Sequence, residues 1–170
     1  LWEMYEWNRD ELDFKQLIAD TEADGTVPPV IRYFDLRLGH TCNLKCVMCS
    51  PHDSSRWLQD YNAVMSNTKS QIVKQQITFN RHKFDNEWFE KSTFWEEIYE
   101  QIPNLKQVYF VGGEPLIIKE HKLFLEEIIR RGYADKILIR YSSNALMLDD
   151  DLLELWKYFK HVKFAFSIDA

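Results

Sequence analysis

Cysteine is missing from almost the whole of this sequence. The three that exist, Cys42, Cys46 and Cys49, fall in one stretch, "HTCNLKCVMCSPH" at residues 40–52, with His40 and His52 beside them. An odd number of thiols so closely spaced is a poor disulfide framework. No apolar run approaches the roughly 20 residues that cross a bilayer, and no charged-then-apolar leader resembles a signal peptide. A basic excess is lacking too: 21 Lys and Arg stand against 27 Asp and Glu, a net charge of -6. That argues against a nucleic-acid backbone as the main partner, because phosphate binding relies on clustered cations. The expectation is a cytoplasmic protein with reduced thiols and no membrane attachment.

What is present suits a single globular domain, with 45% hydrophobic and 28% charged residues in a chain long enough to bury a core. Leu1 stands where a Met would start, and Ala170 follows a strand-like run, so a fragment is expected. Residues 1–29 read as an N-terminal helical segment with Trp2, Tyr5, Trp7, Leu12, Phe14, Leu17 and Ile18 at roughly helical intervals. "DGTVPP" at 24–29 ends it, since Gly25 and the proline pair cannot continue a helix.

Residues 30–39 alternate as a strand does and lead directly into the cysteine loop. A helix is expected over 54–66, capped by Ser54 or Ser55. Another is expected over 94–102, stopped by Pro103, and the long connection implies an insertion around residues 60–100. Thereafter strands at 106–111, 136–143 and 162–169 alternate with helices at 122–132 and 149–159, Gly132 forming a C-cap. Such βα units specify a parallel sheet with right-handed crossovers. Each strand ends in a polar cluster, and that edge is where parallel α/β folds bind ligands.

The spacing C-x3-C-x2-C offers three thiolates, enough for three irons of a cubane with one iron left open. A Cys3His zinc site completed by His40 or His52 is the rival reading. "CNLKCVMC" resembles the cluster loop of the radical S-adenosylmethionine (radical SAM) superfamily, where that loop follows the first barrel strand. "GGEP" at 112–115 is similar to that family's methionine-binding motif, and "SSNA" at 142–145 to its Ser-Asn-Gly turn. "SID" at 167–169 resembles the Ser-φ-Asp of members with a SPASM or twitch extension. Two positions depart from the pattern: Met48 replaces a frequent aromatic residue, and Ala145 a frequent glycine.

The resemblance implies an α/β fold, a partial (β/α) barrel spanning residues 30–170 and truncated after about the fourth strand. It implies a 4Fe-4S cluster held by Cys42, Cys46 and Cys49. S-adenosylmethionine would lie at the open iron, against Met48, Gly112, Gly113, Glu114, Pro115, Ser143, Asn144, Ser167 and Asp169. An electron from a donor such as flavodoxin or ferredoxin would cleave the sulfonium to a 5′-deoxyadenosyl radical, which takes hydrogen from a substrate; a peptide is one candidate. The rivals are a structural zinc module and a catalytically incomplete cluster-binding fragment. Glu114 accepts from the cofactor's amino group or holds the loop, with a solvated surface carboxylate as the plain alternative. Asp35 and Arg37 share one strand face and line either a polar lumen or a solvated edge. The five histidines show no acid–base pairing and are expected to be mostly exposed, and Trp57, Trp88 and Trp95 are expected in the insertion core.

Overall fold

The structure is a computed structural model that describes residues 14–75 and 87–168. The apolar positions Trp2, Tyr5, Trp7 and Leu12 of the expected N-terminal helix, as well as His82 and Asp169, lie outside the described residues. A short helix α1 (Phe14–Ala19) leads to strand β1 (Tyr33–Arg37). After the cysteine loop, a 3-10 turn at Ser55–Trp57 opens helix α2 (Leu58–Asn67), and the Ser54 hydroxyl caps that turn by accepting from the Arg56 N–H. Helix α3 (Ser92–Gln101) passes through a 3-10 turn containing Pro103 into strand β2 (Gln107–Val111). Helix α4 (Lys119–Arg130), strand β3 (Leu138–Ser143), helix α5 (Asp150–Trp156) and strand β4 (His161–Phe166) complete the order. No described helix is long and apolar enough to cross a membrane.

All four strands are parallel and lie in sequence order, β1-β2-β3-β4. Right-handed crossovers in that order keep the connecting helices on one face of the sheet. This is the layout of a partial (β/α) barrel, as expected. The helix-covered face carries Phe34, Leu36, Val108, Phe110, Ile139, Tyr141 and Phe164, all in or against the core. Phe110, Tyr141 and Phe164 are register partners on adjacent strands, and their rings stack at 5.4 and 5.5 Å. Trp95 is buried and Trp88 packs on the core, as expected for both; Trp57 does something else, described below.

The opposite face is polar. Asp35 and Arg37 lie on it with Tyr109, Arg140 and Lys163, and pair with each other at 3.5 Å. Burial raises the Tyr33 phenol's pKa and nearby Asp35 adds to this, while Arg140 and Arg37 oppose it. Toward the strands' N-terminal ends the same face buries Gln107 and Leu138, whereas Asp35 and Arg37 are exposed.

One expectation fails here. His121 is buried, not exposed, because α4 begins at Lys119, before the expected start at 122. That adds His121 to the apolar stripe of Phe124, Leu125 and Ile128, at i, i+3, i+4 and i+7. Its Nε2 lies 2.8 Å from the Tyr141 hydroxyl, which accepts from Trp156 Nε1 at 3.0 Å. The Tyr141 proton is then left for His121, so the imidazole is neutral with Nε2 as acceptor. This network ties α4, β3 and α5 together.

Burial lowers the His121 pKa from 6.5 to about 3. Between those values the unfolded chain binds a proton that the folded chain refuses, so stability must fall as pH drops from 6.5 toward 3. We expect His121→Gln to flatten the decline in the denaturant midpoint between pH 6.5 and 5, above the range where most carboxylates titrate. An unchanged slope in the variant would contradict the assignment.

Candidate functional site

The C-terminal ends of the strands meet at one cavity of about 140 Å³. Its first wall is the loop between β1 and α2. That loop is held by the residues that follow it. Ser55 N–H donates to the His40 carbonyl at 2.7 Å, and the buried Ser54 hydroxyl donates to the Leu44 carbonyl at 2.6 Å. Trp57 Nε1 donates to the Cys46 carbonyl at 3.0 Å, while Lys45 lies over the Trp57 ring and pairs with Asp60. Trp57 is therefore a brace for the cysteine loop and not a core residue. Between these anchors Cys42, Cys46 and Cys49 are half-buried thiols, not joined in disulfides, that line the cavity.

The second wall follows β2. A Cβ on Gly113 would lie 2.2 Å from the Thr41 carbonyl oxygen, and one on Gly112 would lie 2.9 Å from that of Gly39. Gly112 also has φ +129, a region that side chains rarely adopt. The glycines let this turn press against the cysteine loop, where Gly113 N–H and Glu114 N–H donate to the Gly39 and Thr41 carbonyls at 3.3 and 2.8 Å.

Glu114 answers the choice left by the sequence. It is completely buried, so it is no solvated carboxylate. Oε1 accepts from Leu116 N–H at 3.1 Å and from the Ser143 hydroxyl at 2.6 Å, and Oε2 accepts from Asn144 N–H at 2.9 Å. The side chain holds the loop. Beyond it, Asn144 Nδ2 donates to Asn43 Oδ1 at 2.8 Å, joining the end of β3 to the cysteine loop. Ala145 takes φ 59, the left-handed conformation that a glycine would supply with less strain. Ser167 N–H donates to the Ser143 carbonyl at 2.8 Å and brings in the end of β4.

The cavity thus gathers Cys42, Cys46, Cys49, Gly112, Gly113, Ser143, Asn144 and Ser167 from four separate segments. Among the described residues, three expected contacts are not in its lining. Met48 is 79% exposed at the tip of the loop, and Glu114 and Pro115 are buried behind the wall. Leu44, Asp53, Val111 and Ser142 line it without having been anticipated. Ser142 was findable, since it alternates with the core-facing Tyr141 and must lie on the opposite face of the sheet. Asp53 was not, because its place depends on the loop turn in which it accepts from Ser50.

The donor set fits an iron–sulfur cluster. Zinc needs all its ligands within about 2.0–2.3 Å of one ion, whereas cluster thiolates bind separate irons. Among the described residues no three His, Cys, Asp or Glu converge to hold a single ion, while three thiols border one cavity. Burial and the neighbouring His52 keep the His40 pKa low.

The profile of the family described as the Radical SAM superfamily matches residues 36–170. Neither a curated protein nor a solved structure matches the chain.

Two outcomes follow from the walls. Glu114→Gln places an amide N–H₂ against donors, so the unfolding free energy of the metal-free protein should fall by about 1–3 kcal/mol in urea titration. Gly113→Ala should cost a comparable ~1–3 kcal/mol through overpacking alone, because Gly113 is not among the positive-φ glycines. Wild-type midpoints for both variants would mean that the two turns are not packed as described.

Proposed function

Since the chain belongs to the radical SAM superfamily, we propose that it is an enzyme using a 4Fe-4S cluster and S-adenosylmethionine. Cys42, Cys46 and Cys49 would hold three irons and leave the fourth to S-adenosylmethionine. When bound, the cluster supplies the electron that splits the cofactor into methionine and a 5′-deoxyadenosyl radical able to abstract hydrogen from substrate. A reduced flavodoxin or ferredoxin is the donor class this requires.

The chain's own residues place these groups. The loop anchors at Ser54, Ser55 and Trp57 turn backbone carbonyls away from the cavity and leave the thiols toward it. Gly112 and Gly113 present bare backbone to the cofactor's methionine end. Asn144 and Ser167 offer polar groups for its carboxylate or ribose. Glu114 is a positioning residue, acting through Ser143 and Asn144 rather than by contact. The sequence Ser167-Ile168-Asp169, which resembles the Ser-φ-Asp of such members, supports a SPASM- or twitch-type member. The observation that carries the reading is the single cavity shared by three thiols, a glycine pair and the polar ends of β3 and β4.

Anaerobic reconstitution with iron and sulfide should give a brown protein with visible absorption. Under a strong reductant it should convert S-adenosylmethionine to 5′-deoxyadenosine. Cys46→Ala should lose the absorption, and His40→Ala and His52→Ala should keep it. A colourless protein that binds zinc, and loses it with either histidine, would establish the Cys3His alternative. A brown protein without turnover would establish an incomplete cluster-binding module.

A further inference from the structure

A second cavity, of about 550 Å³, opens between β1 and α3 and shares no lining residue with the thiol cavity. Phe34, Asp35 and Leu36 all border it. Successive side chains of a strand point to opposite faces, so a space that touches three in a row runs along the strand's edge. β1 is the outermost strand of the sheet and, among the described residues, is bonded to β2 alone. The outward backbone groups of β1 therefore form one wall of the groove. An edge of this kind is a template for a further strand.

Helix α3 forms the other wall. Phe94, Ile98 and Gln101 recur at i, i+4 and i+7, which turns one stripe of the helix toward the strand. Gln101 Oε1 accepts from the Ile31 N–H at 3.4 Å and joins the two walls at one end. The floor is apolar: Leu36 and Ile98 are buried, and Phe94 meets Trp88 edge to face with ring centroids 4.5 Å apart. The rim carries one sign of charge. Among the described residues Asp35, Glu97 and Glu100 border the groove and no cation does. Asp35 is matched along its own strand by Arg37. Glu97 and Glu100 are exposed neighbours at i and i+3, with no ion-pair partner among the described residues. Like charges so placed on a helix repel each other.

We propose that this groove binds an extended segment of a partner polypeptide that carries both large apolar residues and Lys or Arg. The segment adds to the free edge of β1 through its backbone, and its apolar side chains fill the space between Phe34 and Phe94. Its cations answer Glu97 and Glu100. An acidic segment would be repelled by that rim, and one without apolar side chains would leave the floor unfilled. A small cationic molecule would make no use of the strand edge.

The test is calorimetric titration of the purified protein with the capped peptide Lys-Leu-Lys-Leu-Lys. Binding should be detected below about 1 mM peptide. Glu97→Gln and Glu100→Gln should each weaken it by about two- to fivefold, as loss of an exposed ion pair does, and added salt should weaken it further. Glu154→Gln, on α5 where the carboxylate pairs with Lys157, should leave it unchanged. Methylating every backbone nitrogen of the peptide should abolish binding, because the donors to the strand edge are then gone. The proposal is overturned if the peptide does not bind up to about 1 mM, or if both glutamine variants bind it as the parent does. Equal binding of the methylated peptide, or of Glu-Leu-Glu-Leu-Glu, overturns it as well. Self-association in sedimentation that the peptide reverses would assign the groove to a second copy of this chain, against the proposal.

Discussion

The buried carboxylate of Glu114 is the constraint on which the site depends. A carboxylate taken out of water is tolerated only with full hydrogen bonding, and its three donors come from its own turn and from the end of β3. Those bonds fix how far apart the ends of β2 and β3 can be. Asn144 then reaches Asn43 in the cysteine loop, and Ser143 also accepts from Ala145 N–H, which sets the next turn. One side chain thus coordinates three of the four strand exits, and the fourth joins through Ser167.

The glycine pair works on the opposite side of the same junction. Hydrogen bonds can draw two turns together only if nothing stands between them, and Gly112 and Gly113 remove the atoms that would. The cysteine loop is gripped a third way, from Ser54, Ser55 and Trp57 at the start of the following helix. Thiols on a loop are mobile by default, so these three attachments are what make the positions of Cys42, Cys46 and Cys49 reproducible. Placement on strand ends backed by a packed aromatic layer gives the site its rigidity.

The sheet separates structure from chemistry by face. Helices on one side bury Phe110, Tyr141 and their neighbours, leaving the other side to Asp35, Tyr109, Arg140 and Lys163. The His121–Tyr141–Trp156 network is a polar cluster inside the covered layer, and it serves to lock helices rather than to react. Along β3, Arg140 lies on the uncovered face, and Ser142, one side-chain step beyond it, lines the thiol cavity.

Much of this was legible in the residues. Period-two alternation and βα spacing specify the parallel sheet, and three thiols in one loop with polar strand ends specify where the site lies. Helix starts were less legible: His121 joined the core because α4 begins earlier than its apolar stripe first suggests. The sequence by itself determined the succession of strands and helices, the candidate ligand types and the edge at which they gather, because these follow from local periodicity and spacing. Only the tertiary structure decided that Glu114 holds a wall instead of facing the cavity, that Trp57 braces the cysteines, and that Asp35 and Arg37 share a face with Arg140 and Lys163. Those outcomes depend on which backbone groups from distant segments come within hydrogen-bonding distance, and no local pattern encodes that.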